Sequence, residues 1–99
     1  MPRKGFVYIM SNEYNTVLYT GATSNLVRRT HEHKTHAVPG SFSDRYNCIK
    51  LVWYQIFSCI VDAIDEEKRL KGGSRQQKID LINNSNPDWK DLWEAIQDL

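Results

Sequence analysis

Apolar and polar stretches alternate along the chain and predict seven elements. Phe6-Val7-Tyr8-Ile9-Met10 is a run of β-formers, residues 11–16 (SNEYNT) are turn chemistry, and Val17-Leu18-Tyr19-Thr20-Gly21 reads as a second short strand. With residues 12–15 as the loop, Ser11 pairs with Thr16 and Tyr8 lies opposite Tyr19, so both phenols project from one face, about 5 Å apart. Thr23-Ser24-Asn25 offers N-caps for a helix over residues 24–36, which Val38-Pro39-Gly40-Ser41 breaks. The stretch 48–57 predicts a third strand, too apolar to be surface on both faces. Helices are expected over 59–71, ended by Gly72-Gly73, and over 75–83. Asn86-Pro87-Asp88 then reads as N-cap, N1 proline and first-turn acid of a last helix, with Trp89, Leu92, Trp93, Ile96 and Leu99 along one stripe. That stripe suits either the core or a dimer face. The order ββαβααα predicts an α+β fold.

Helical phase then singles out polar residues on faces that should be apolar. Over 59–71 the inner stripe is Ile60, Ala63, Ile64 and Leu70, and Glu67 falls within it while Asp65, Glu66 and Lys68 point away. A carboxylate there is paired with a cation, holds a metal, or grazes the surface on a helix rotated from this phase. In the first helix Leu26, Thr30 and Ala37 mark the inner stripe. Arg29 and His33, an i, i+4 pair, lie at its edge, and Arg28 and His31 point outward. His31 and His33 face opposite sides, so they cannot share a zinc ion. Two tyrosines, an arginine, a histidine and a glutamate suit metal-assisted phosphodiester hydrolysis. Arginine forks onto phosphate, a lone carboxylate with waters holds Mg²⁺, and a tyrosine hydroxyl can move a proton.

Composition narrows the alternatives. Ninety-nine residues, 40% hydrophobic and 25% charged, predict one globular domain spanning residues 1–99. No apolar run nears the ~20 residues of a membrane span. The start, Met1-Pro2-Arg3-Lys4, lacks a signal-peptide pattern, so a cytoplasmic protein with no membrane partner is expected. Cys48 and Cys59 match no metal or redox spacing and are expected as reduced core residues. The net charge of +1 hides a polarity: residues 1–50 carry seven basic and three acidic groups, whereas residues 86–99 carry one and four. A basic working face is therefore compatible with the near-neutral sum.

Four stretches together resemble the GIY-YIG nucleases. Phe6-Val7-Tyr8 and Tyr19-Thr20-Gly21 are similar to the paired G-I-Y and Y-I-G signature, although Phe6-Val7 replaces G-I and Thr20 replaces isoleucine. The stretch from Asn25 to Lys34 resembles that family's N-L-x-x-R-x-x-x-(Y/H) helix. Residues 63–71 resemble its A-I-x-x-E-K-x-L-K helix, and Asn86-Pro87-Asp88-Trp89 its N-P-x-W. The resemblance implies a central three-stranded antiparallel sheet flanked by helices, and an endonuclease that uses a single divalent ion, Mg²⁺ or Mn²⁺. It points to DNA rather than RNA and to repair or recombination, since related modules occur in the nucleotide-excision-repair excinuclease and in phage homing endonucleases. It also implies Tyr8 as general base, Tyr19 at the phosphate, Arg29 stabilising transition-state charge, His33 assisting, and Glu67 as the metal ligand. Arg28, Lys34, Lys68 and Asn86 are the candidate substrate contacts, Asn86 being either a site residue or only a helix cap. Gly73 stands where short members carry an aromatic residue, which is expected to loosen the joint after the preceding helix.

Two functions fit. One is a nuclease, a monomer or weak dimer whose target comes from substrate shape or a protein partner. The alternative is a catalytically weak or inactive nucleic-acid-binding adaptor with the same fold.

Overall fold

The apolar run near the N-terminus is buried on both sides because it forms the middle strand of the sheet. The structure, a computed structural model, describes residues 3–99, so Met1 and Pro2 of the start lie outside the described residues. Strand β1 (Gly5–Ser11) pairs antiparallel with β2 (Leu18–Thr23) on one side and β3 (Lys50–Phe57) on the other. Strand alternation sends Phe6, Tyr8 and Met10 to one face, where they pack with Leu26, Leu51 and Ile96. Val7 and Ile9 face the opposite way, onto Val52, Ala63, Leu70 and Ile82. A bulge after Ile9, where Trp53 pairs with Ile9 and Leu51 with Met10, leaves Val52 as an extra residue and turns it to the second face with Trp53.

The hairpin register differs from the expected one by two residues. Tyr8 pairs with Gly21, Met10 with Tyr19 and Ser11 with Leu18. Asn12 sets this register: its side-chain oxygen accepts from the amides of Thr16 and Val17, its own amide donates to the Val17 carbonyl, and Asn15 takes a left-handed φ of 59°. The loop thus closes over 12–17 rather than 12–15. Because side chains alternate with period two, an even slip keeps Tyr8 and Tyr19 on the same face.

Helix α1 (Leu26–Lys34) starts at Asn25, whose side chain accepts from the Arg28 amide. It stops earlier than expected, with the Thr35 hydroxyl bonded back to the His31 carbonyl and His36 at a φ of 55°. Ala37 is therefore exposed and is not part of the inner stripe. A short helix, α2 (Phe42–Arg45), occupies a segment read as a break, its Asp44 amide capped by the Ser41 hydroxyl. Helices α3 (Ile60–Lys71) and α4 (Arg75–Ser85) lie close to their expected bounds. Gly73 lies in the joint between them, just before the Ser74 N-cap. A Cβ there would collide with the Gln77 amide oxygen, which completes the capping box with Ser74. Among the described residues no helix is long and apolar enough to cross a membrane, and Cys48 and Cys59 are free thiols, the first buried and the second half-buried.

The last predicted helix is not formed. Residues after α4 run irregularly into a 3-10 turn, Glu94–Ile96, so the element order is ββααβαα. Asn86 does not serve as the expected N-cap. Its amide nitrogen donates to the carbonyls of Val52 and Lys90 and its oxygen accepts from the Lys90 amide, tying the segment to the bulged strand. Asp91 accepts from the amides of Leu51 and Trp93, and Trp89 sits at a φ of 52°. Side chains that bond locally to the backbone compete with helix formation, and here they win. The aromatic stripe is consequently split: Leu92, Trp93 and Ile96 pack on the Tyr8 face, whereas Trp89 packs on the other and Leu99 is exposed.

Candidate active site

Tyr8 projects from the middle of the sheet, and its ring lies over Gly21 of the neighbouring strand. An added Cβ at Gly21 would come within 2.5 Å of the Tyr8 Cζ, and the ring has no room to retreat. Gly21→Ala is expected to destabilise the fold by about 1–3 kcal/mol in urea melts, as overpacked cores do. An unchanged melt would contradict the close approach.

The Tyr8 hydroxyl lies 2.9 Å from His33 Nε2, and His33 Nδ1 lies 2.8 Å from the Ser43 Oγ. All three side chains are buried, His33 to 4% exposure. His33 thus belongs inside the core, not at the helix edge expected from its phase. Tyr19, half-buried, completes an aromatic cluster, with ring centroids 6.3 Å from Tyr8 and 5.2 Å from His33. Phe42 of α2 stacks on Tyr19 from outside.

Arg29 is one turn before His33 on α1, beside both phenols. Its guanidinium is held by Glu32, 3.2 Å away, which also lies 3.7 Å from Arg28. Burial pushes the Tyr8 phenol well above its ordinary pKa, Tyr19 adds to the rise, and the Arg29 charge opposes it. Burial and then the Arg29 charge push His33 down to about 4, against the pull of Glu32. At neutral pH the pair is therefore a protonated phenol against a neutral imidazole.

Glu67, on α3, is partly buried at 20% side-chain exposure, much as Glu66 is at 22%, and Ile64 of the expected inner stripe is exposed, so the phase reading that set Glu67 apart holds only in part. Its carboxylate lies 3.6 Å from the Lys71 ammonium, which in turn sits 5.8 Å over the Tyr19 ring. An open groove next to this cluster is lined by Leu18, Tyr19, Thr20, Phe42, Lys71 and Lys78. A larger cavity, about 440 Å³ between α3 and α4, includes none of the candidate residues.

The candidate substrate contacts are placed differently from one another. Arg28 and Lys68 are exposed on their helices. Lys34 is folded back onto the Ile49 carbonyl and the Asp91 carboxylate. Asn86 is buried with its donors and acceptor used within the chain. These partners give both residues structural work. Two residues were missed. Lys71 was legible as the i+4 neighbour of Glu67, and Ser43 from the Ser41-to-Asp44 capping spacing that starts α2.

The family model described as GIY-YIG catalytic domain matches residues 4–80. A UPF0213 protein of Syntrophus aciditrophicus is 31% identical over 85 residues, covering 86% of this chain and 95% of the relative. The UPF0213 protein SH2523 of Staphylococcus haemolyticus is 33% identical over 79 residues, covering 80% and 94%. The solution structure of the UPF0213 protein BH0048 from Bacillus halodurans superposes with a TM-score of 0.56 at 22% identity, over 94% of this chain and 97% of that one. That likeness bears on the fold, a three-stranded antiparallel sheet flanked by helices.

Proposed function

This chain belongs to the GIY-YIG catalytic domain family, and from that premise we propose that it hydrolyses phosphodiester bonds in nucleic acid, DNA rather than RNA, as an endonuclease. The observation that carries this reading is the convergence of Tyr8, Tyr19, His33 and Arg29 in one cluster, to which the Glu67 carboxylate is joined through Lys71 over the Tyr19 ring.

The donor set suits a hydrated divalent ion, Mg²⁺ or Mn²⁺. Among the described residues no three His, Cys, Asp or Glu side chains gather, so a cage of zinc type has no ligands here. One part-exposed carboxylate fits an ion that keeps most of its waters and takes its remaining ligands from a phosphate. Glu67 would hold that ion, which when bound supplies charge neutralisation at the phosphoryl oxygens.

The chain's own residues do the rest. Arg29 offers a charged fork to the scissile phosphate, where negative charge grows in the transition state. Tyr8 takes a proton from the attacking water as the new P–O bond forms and the old one breaks, the leaving oxygen taking its proton from solvent. Its own proton passes to His33 Nε2, which is in contact at 2.9 Å. Tyr19 and Lys71 flank the phosphate in the adjoining groove.

Incubating the chain with supercoiled plasmid and Mn²⁺, with and without chelator, and comparing Glu67→Ala tests the reading. Metal-dependent nicking by wild type that Glu67→Ala lacks is the expected result. Equal background cleavage by both proteins would overturn it, and binding that ignores Glu67 would then identify a nucleic-acid-binding adaptor.

A further inference from the structure

His33 can be a proton acceptor for Tyr8 only in one of its two neutral forms, and the surrounding side chains select that form. The Tyr8 phenol is buried, so its proton needs a partner. Arg29, beside it, has only donors and cannot take that proton. Nε2 of His33, at 2.9 Å, is the acceptor in reach. A neutral imidazole that accepts at Nε2 carries its hydrogen on Nδ1, which lies 2.8 Å from the Ser43 Oγ. Ser43 is itself 5% exposed, and its hydroxyl hydrogen has the Ser41 Oγ, 3.4 Å away, as an outlet. Ser43 is fixed in place by α2: Ser41 caps the helix and the Ser43 carbonyl accepts from the Cys48 amide.

We propose that Ser43 is a positioning residue whose oxygen accepts the Nδ1–H of His33, leaving Nε2 as the acceptor for the phenolic proton of Tyr8. Ser43 touches neither substrate nor metal and acts through His33 alone. The consequence for rate rests on the nuclease reading, whereas the tautomer is a property of the folded chain and can be read without any cleavage.

The experiment is long-range ¹H–¹⁵N correlation on histidine-labelled protein at neutral pH, for wild type, Ser43→Ala and Ser43→Thr. Wild type is expected to show His33 with Nδ1 protonated and Nε2 bare. Ser43→Ala is expected to shift that population towards the Nε2–H form, and Ser43→Thr, which keeps the hydroxyl, to restore it. Backbone spectra of the same samples show whether each variant keeps its fold, and Ser43→Thr carries the test should Ser43→Ala unfold. An Nε2–H tautomer in wild type, or an unchanged tautomer in folded Ser43→Ala, would overturn the proposal. In the nicking assay Ser43→Ala is expected to lose on the order of tenfold in rate with Ser43→Thr close to wild type. Absence of cleavage by wild type would count against the nuclease reading and leave the tautomer result standing.

Discussion

Glu67→Ala is expected to lower the metal-dependent cleavage rate by roughly 10³-fold or more while the fold stays intact. A divalent ion at a phosphoryl centre supplies several kcal/mol of transition-state stabilisation, and every 1.4 kcal/mol is tenfold in rate. No cluster of further ligands stands in reserve, because no group of three or more His, Cys, Asp or Glu is gathered among the described residues. The stability cost runs the other way. Glu67 pairs with a Lys71 that is half exposed, at 3.6 Å, and such partly exposed pairs contribute about 0–1 kcal/mol. Single-turnover cleavage in Mn²⁺ beside a thermal melt separates the two effects. A Glu67→Ala protein that melts like wild type and cuts like wild type would remove Glu67 from the site.

Tyr8→Phe should reduce cleavage by roughly 10²–10⁴-fold, the range typical of losing a general base. Phenylalanine keeps the ring that fills the space above Gly21, so packing is preserved. What is lost is the hydroxyl bonded to His33 Nε2, which leaves a buried acceptor unpaired at a cost of about 1–3 kcal/mol. That cost is large enough to see in a urea titration and too small to unfold a domain of ordinary stability. The phenol is held protonated by its burial. Its catalytic value therefore depends on handing that proton to His33, and a Tyr8→Phe protein that cleaves at the wild-type rate would show that the dyad plays no part.

The residues of this site were legible to different degrees, for reasons that lie in the range of the interactions involved. Tyr8 and Tyr19 sit in strands, where period-two alternation is local. A register error of two residues therefore left them on the same face. Glu67 stood out by helical phase, again a local property, but the helix is turned so that Glu66 is about as buried as Glu67 and Ile64 faces outward. Arg29 and His33 share a helix face, but how deeply His33 is buried depends on α2 closing over it. That helix is one turn long, within reach of a capping signal yet too short for periodicity.

The C-terminal segment marks the opposite limit. Its Asn-Pro-Asp start and aromatic spacing are good helix signals, and on local grounds a helix was the sound expectation. Tertiary partners decided otherwise. Asn86 reaches the Val52 carbonyl exposed by the bulge, and Asp91 reaches the Leu51 amide and Lys34. Lys34 and Asp91 come from the basic front and the acidic tail, so the charge polarity of the chain is in part an internal pairing.

Local periodicity in the chain was therefore enough for the three strands and the three longer helices and for singling out Tyr8, Tyr19, Arg29 and Glu67 as candidates, whereas the antiparallel pairing of the third strand was implied by the family resemblance. Backbone hydrogen bonds and side-chain phase depend on near neighbours, and these are written in the order of residues. The hairpin register, the single turn of α2, the burial of His33 between Tyr8 and Ser43, and the irregular tail were settled only in three dimensions. The tail and the burial of His33 depend on Asn86, Asp91 and Ser43 finding partners far along the chain, and the register on the turn that Asn12 closes; no sequence period encodes which partners those will be.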